Sequence, residues 1–170
     1  LFLSANIIGL IIVDQYQVED ALPLNIERPD IEPETSYLQI FIFIIIATAL
    51  ALFLLKFKLF KVWKFWFLLS VFLTLAISFN AFMPEWLAIL LAVVFAFWKI
   101  FKPQVYVHNL TELFIYGALA AVFVPILNVI SISVLLILIS VYDYIAVRKT
   151  KHMVTLAKSQ EESQVFAGLM

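Results

Sequence analysis

Residues 38–55 read LQIFIFIIIATALALFLL, a run of eighteen residues that contains no charged side chain. A transmembrane helix needs about 20 mainly apolar residues to cross about 30 Å of hydrocarbon, so this run nearly suffices by itself. Its wealth of Ile and Phe is typical of strands in water. In lipid, however, a segment must satisfy its own backbone hydrogen bonds, so we predict a membrane-spanning helix.

The composition of the whole chain agrees with this reading. The 170 residues are 65% hydrophobic and only 14% charged, whereas soluble domains carry about 25% charged residues. A chain of this length cannot hide so much apolar surface in a soluble core. There is no cysteine, which excludes disulfides, thiolate metal sites and cysteine nucleophiles. We expect neither a metal nor a cofactor, and no nucleic-acid partner.

Five further apolar segments accompany residues 38–55. The fold class we predict is all-α, a polytopic transmembrane helix bundle of about six spans within residues 1–153, followed by a cytoplasmic linker at residues 154–170. The expected spans cover residues 1–13, 38–55, 66–83, 86–101, 110–127 and 129–147.

The charges between the spans predict the orientation of the bundle. The connection at residues 14–37 carries seven acidic residues and Arg28 as its only base. Basic residues fall on alternate connections: Lys56, Lys58, Lys61 and Lys64; then Lys99 and Lys102; then Arg148, Lys149, Lys151 and Lys158. Because basic residues concentrate on the cytoplasmic side, both chain ends are expected there. We expect a multi-pass protein of the cell membrane.

Two carboxylates lie inside the predicted spans. Asp143 is in the sixth, about 7 Å before the basic residue Arg148, and Glu112 is at the start of the fifth. A carboxylate within a membrane is costly and is by default a functional candidate. Each could instead snorkel to the membrane interface or pair with Lys149 or Lys151. His108 and His152 are also interpreted as interfacial, and the tryptophans as aromatic belts at the span ends.

The sequence around Asp143 reads Tyr142-Asp143-Tyr144, with Thr150-Lys151-His152-Met153 shortly after. This sequence resembles the sixth transmembrane helix of the presenilin and signal peptide peptidase family of intramembrane aspartyl proteases, and most closely its archaeal members. The resemblance implies that Asp143 is one of two catalytic aspartates. Tyr142 lies about 100° round the helix from Asp143, so we expect it to shape the site or contact the substrate rather than to transfer protons. Packing against a neighbouring helix is an equal alternative.

The chain also departs from the family pattern. The second aspartate of the family lies in a Gly-x-Gly-Asp motif on a seventh helix, which is absent here. The resemblance therefore implies an amino-terminal half that ends between helices six and seven and is inactive by itself. Its expected partners are a transmembrane protein substrate, membrane lipid and the carboxy-terminal half that carries the motif. Val165–Met170 could lie near a substrate paired as a strand.

Two other functions remain open from the residues alone. In a proton- or cation-coupled transporter or channel, Glu112 and Asp143 would form a relay near the cytoplasmic mouth. A relay usually needs carboxylates at several depths, and none lies in the outer half of the predicted bundle. In a noncatalytic membrane scaffold, Asp143 would be merely interfacial.

Overall fold

The computed structural model describes residues 2–18, 31–102 and 104–163, and every regular element in these ranges is helical. The all-α prediction is thereby confirmed. The helices are α1 (Phe2–Val18), α2 (Ser36–Lys56), α3 (Phe60–Asn80), α4 (Glu85–Phe101), α5 (Val105–Phe123), α6 (Val129–Tyr144) and α7 (His152–Ser163). A 3₁₀ turn (Val124–Ile126) extends α5, and a π turn (Ile145–Lys149) extends α6.

Four of the described helical segments are long and apolar enough to cross a membrane. They are Ser36–Lys56, Phe60–Asn80, Val105–Ile126 and Val129–Lys149. The helices α1 and α4 have 17 residues each, which corresponds to about 25 Å of length. The chain is therefore an integral membrane protein by the length and apolar character of these helices.

Several helices begin earlier or end later than the apolar runs predicted. The helix α3 begins at Phe60 rather than at Trp66, and α5 begins at Val105 rather than at Leu110. The added residues of α3 include Lys61 and Lys64. Lysine has a good helix propensity, so a helix can continue beyond the hydrocarbon into the polar interface.

The chain divides into two compact units, and the first contains α1, most of α3, α4 and α5. Small residues bring two of its helices together, because Gly9 of α1 lies against Gly117 of α5. The buried Tyr16 hydroxyl of α1 donates a 2.7 Å hydrogen bond to the carbonyl of Ile77 in α3. Further along, α3 and α4 bury a shared core that includes Leu75.

The second unit contains α2, α6, the π turn and α7. Its buried apolar centre consists of Ile40, Ile126 and Leu135. Asn128 caps α6, since its side chain accepts a 2.7 Å hydrogen bond from the backbone N–H of Ser131. The Ser131 hydroxyl in turn donates to the carbonyl of Pro33, which ties the start of α6 to the segment before α2.

Large apolar side chains cover the outside of this second unit. On α2 and α6 they include Ile42, Phe43, Ile46, Leu136 and Ile137, all of them exposed. A soluble protein rarely exposes so large an apolar surface. This surface is suited to contact with lipid chains. Val165–Met170, which were predicted to lie near a substrate strand, are outside the described residues.

Candidate functional site

Asp143 is the next-to-last residue of α6, inside the candidate membrane span Val129–Lys149. Its side chain is exposed on the helix surface. Within the described ranges, its carboxylate forms neither a hydrogen bond nor an ion pair. The predicted alternative pairing with Lys149 or Lys151 is therefore wrong for Asp143. Its carboxylate is left accessible to a partner on another segment.

The helix changes its hydrogen-bonding pattern directly after this aspartate. Residues 145–149 form a π turn, which is closed by a 3.1 Å bond from the Thr150 N–H to the Ile145 carbonyl. Lys151 then adopts a left-handed conformation with φ of 57°, and α7 begins at the next residue. Such π turns are rare and are frequent at functional sites. The chain thus bends away from α6 within a few residues of the carboxylate.

Tyr142 contacts two other elements of the second unit. Its ring meets the ring of Phe41 in α2 edge to face, with 6.2 Å between the centroids. Its hydroxyl lies 3.0 Å from Nε2 of His152 at the start of α7. The other ring nitrogen, Nδ1, lies 2.6 Å from the hydroxyl oxygen of Thr150. Tyr142 therefore packs against a neighbouring helix, and its role in shaping the site or contacting the substrate stays a prediction.

The prediction did not give His152 this role. His152 was predicted only to be interfacial, whereas in the structure both of its ring nitrogens have a partner. The signal that could have found it is the segment Thr150–Met153, which is part of the resemblance. Two of its four residues, Thr150 and His152, contact each other.

A second polar cluster lies in the first unit, between α4 and α5. Lys99 Nζ is 2.6 Å from Oε1 of Glu112 and 3.2 Å from the hydroxyl oxygen of Thr111. His108 Nε2 is 3.8 Å from the same carboxylate oxygen. All four side chains are buried. The cluster is an ion pair enclosed by protein, with its carboxylate neutralised by a lysine.

These contacts correct two predictions. Glu112 does not snorkel and does not pair with Lys149 or Lys151; its partner is Lys99. Lys99 is not a connection residue, because it lies in the last turn of α4 and only 4% of it is exposed. His108 is buried beside this pair, and its predicted place at the membrane interface stays a prediction. The sequence alone could not reveal this pairing, because it depends on how α4 packs against α5.

Comparison with known proteins points to the same family as the residues around Asp143. Residues 1–167 match the family described as signal-peptide peptidase, presenilin aspartyl protease. Neither the curated proteins nor the solved structures yielded a match. The matched range covers nearly the whole sequence and includes the Tyr142-Asp143 pair. The chain therefore belongs to the signal-peptide peptidase and presenilin family of aspartyl proteases.

Proposed function

We propose that this chain supplies one half of the active site of an intramembrane aspartyl endopeptidase, with Asp143 as one of its two catalytic aspartates. The second aspartate would come from polypeptide outside this sequence that carries the Gly-x-Gly-Asp motif of the family. The substrates would be the membrane-spanning segments of other proteins. Without the second carboxylate, the 170 residues alone would not cleave peptide bonds.

The observation that carries the proposal is where the Asp143 carboxylate lies and what it does not contact. It lies within a candidate membrane span, and no group in the described ranges neutralises it. Glu112, by contrast, has a buried lysine as its partner. A lone carboxylate in a membrane costs several kcal/mol of free energy. Its presence therefore favours a role in function, with a partner on another segment.

Two neighbouring carboxylates would supply the chemistry of hydrolysis. Because two ionised carboxylates repel each other at close range, the two groups can share a single proton. The ionised member can take a proton from the attacking water, while the protonated member polarises the scissile carbonyl and later protonates the leaving amine.

The proposed topology places this chemistry near the cytoplasmic face. It has six spans, with α1 and α4 included, and both chain ends in the cytoplasm. The lysines at the end of α2, after it and at the start of α3 are exposed or half-exposed, and so support this topology. Lys102 after α4, and Arg148 and Lys149 after Asp143, are exposed and support it as well. The burial of Lys99 removes one charge from this pattern without reversing it.

A helical substrate must also be unwound, because its own hydrogen-bond ladder hides the scissile carbonyl. The enzyme would offer replacement partners to the freed backbone, most simply by pairing an extended segment as a strand. The segment Val165–Met170 follows α7 in the chain and is proposed for this role by its place in the sequence. A substrate-bound structure with these residues remote from the substrate would end that part of the proposal.

The test is cleavage of a membrane-spanning substrate by the full-length protease in liposomes. We expect Asp143→Ala and Asp143→Asn to lower kcat by at least about 100-fold, as for loss of an acid–base group. Ser140→Ala is the matched control, because Ser140 is exposed one turn earlier and its hydroxyl donates to the carbonyl of Leu136 in its own helix. Normal cleavage by the Asp143 variants would overturn the assignment.

A further inference from the structure

Three polar side chains at the end of α6 are linked in series by short contacts. The Tyr142 hydroxyl contacts His152 Nε2 at 3.0 Å, and His152 Nδ1 contacts the Thr150 hydroxyl at 2.6 Å. We propose that His152 is a positioning residue, which holds the end of α6 through Tyr142 and so fixes the direction of the Asp143 carboxylate. The inference rests on the proposed catalytic role of Asp143.

One arrangement of protons satisfies every member of this series. The Thr150 hydroxyl can donate to the carbonyl of Ile145 or Ala146, at 3.3 and 3.4 Å, and accept from His152 Nδ1–H. In the tautomer whose proton is on Nδ1, Nε2 has no proton and accepts from the Tyr142 hydroxyl. The three side chains therefore form a directed series of hydrogen bonds that ends on the backbone of the π turn.

The end of α6 needs such a connection, because its regular hydrogen bonding ends there. The π turn begins two residues after Asp143, and the left-handed Lys151 interrupts the helix again. The bond between Tyr142 and His152 spans both irregularities and joins the last turn of α6 to the first residue of α7. It thereby replaces the stiffness that a continuous helix would have provided.

Tyr142 is fixed from two sides by this arrangement. The ring of Phe41 meets it from α2, while His152 holds its hydroxyl from α7. Asp143 is the next residue and projects about 100° further round the helix. Any rotation of α6 that moves Tyr142 would therefore move the carboxylate as well. A misplacement of about 1 Å can lower a rate by about 100-fold, so this restraint matters for catalysis.

The experiment is kinetic and uses the full-length protease in liposomes with a membrane-spanning substrate. We expect Tyr142→Phe and His152→Ala each to lower kcat by roughly 10-fold to 100-fold, with KM nearly unchanged. The double variant should be no slower than the slower single variant, because both remove the same bond. His152→Gln should restore part of kcat, since its amide can still accept from Tyr142.

Two matched controls accompany these variants. Tyr144→Phe removes the hydroxyl of an exposed tyrosine on the other side of Asp143, and Thr155→Ala removes an exposed hydroxyl from α7. Both should keep the kcat of the unaltered enzyme. Circular dichroism and the unfolding midpoint of each variant establish whether it is folded before its kcat is interpreted.

The outcomes separate the inference from the proposed function. If Asp143→Ala abolishes cleavage while His152→Ala and Tyr142→Phe keep normal kcat, the positioning role is wrong and the protease assignment stands. Additive losses in the double variant would also overturn the positioning role. If Asp143→Ala cleaves normally, the proposed function itself fails, and the inference fails with it.

Discussion

Lys99 of α4 and Glu112 of α5 form a buried ion pair, with 2.6 Å between Nζ and Oε1 and no more than 4% of either residue exposed. Removal of one member leaves an uncompensated buried charge, which typically costs about 3–5 kcal/mol. We therefore expect Lys99→Met to lower the free energy of unfolding by about this amount in detergent micelles. Denaturant titration followed by tryptophan fluorescence measures it.

The same pair predicts that removal of both charges is far milder. Well-packed apolar residues can replace a buried ion pair at little or no loss of stability. The double variant Lys99→Met/Glu112→Leu should therefore recover most of the stability that Lys99→Met loses. Lys102→Met is the matched control, because this lysine is exposed just after α4 and should change stability by less than about 0.5 kcal/mol. A Lys99→Met variant as stable as the control contradicts the ion pair.

The contact between α1 and α5 predicts that a change from glycine to alanine affects stability differently at Gly9 and at Gly117. A Cβ atom on Gly117 would come within 2.5 Å of the Cδ1 of Ile12, which is fully buried. A Cβ atom on Gly9 would lie 3.8 Å from the Cα of Gly117, an ordinary contact. We expect Gly117→Ala to lower the unfolding free energy by about 1–3 kcal/mol through overpacking.

Gly9→Ala serves as the matched variant for this contact. Alanine is favoured over glycine within a helix by up to about 1 kcal/mol, and here it meets no obstacle. Its stability should therefore equal or exceed that of the unaltered protein. Equal stabilities of the Gly9→Ala and Gly117→Ala proteins would show that the two helices are not in such close contact.

The helical class and the position of Asp143 on α6 could be predicted because lipid leaves an apolar segment few choices. A run such as residues 38–55 must be helical, and the helix α2 extends beyond it by only two residues before and one after. The ends of other helices were harder to predict. The apolar run of α3 begins only after Lys61 and Lys64, whereas the helix itself begins before them, at Phe60. Propensity and capping decide such ends, not hydrophobicity.

The partners of polar residues could not be predicted in the same way. Lys99 and Glu112 come from different helices, and their pairing depends on the packing of α4 against α5. The bond between Tyr142 and His152 depends on a π turn that no apolar pattern marks. Hydrophobicity identifies the helices, whereas the directions of polar side chains follow from tertiary structure.

The cap of α6 gives a further prediction. The side chain of Asn128 accepts a 2.7 Å hydrogen bond from the N–H of Ser131. This N–H is in the first turn of the helix, where backbone donors have no acceptor within the helix itself. Asn128→Ala should lower the unfolding free energy by about 1 kcal/mol, the usual effect of losing such a cap. Asn128→Ser retains an oxygen acceptor and should lose less. Thermal unfolding in detergent compares the two, and equal losses would contradict capping by the side chain.

The proposed six-span topology can be tested directly, because the chain contains no cysteine and each introduced one reports a single position. We expect Phe82→Cys, between α3 and α4, to react with a membrane-impermeant maleimide added outside intact cells. Lys58→Cys and Lys102→Cys should react only after permeabilisation, because basic connections stay in the cytoplasm. The helix α4 is about 25 Å long, less than the hydrocarbon thickness of about 30 Å, so it is the span most open to challenge. Labelling of residues 82 and 102 from the same side would show that α4 does not cross the membrane, and would leave the two ends of the chain on opposite faces.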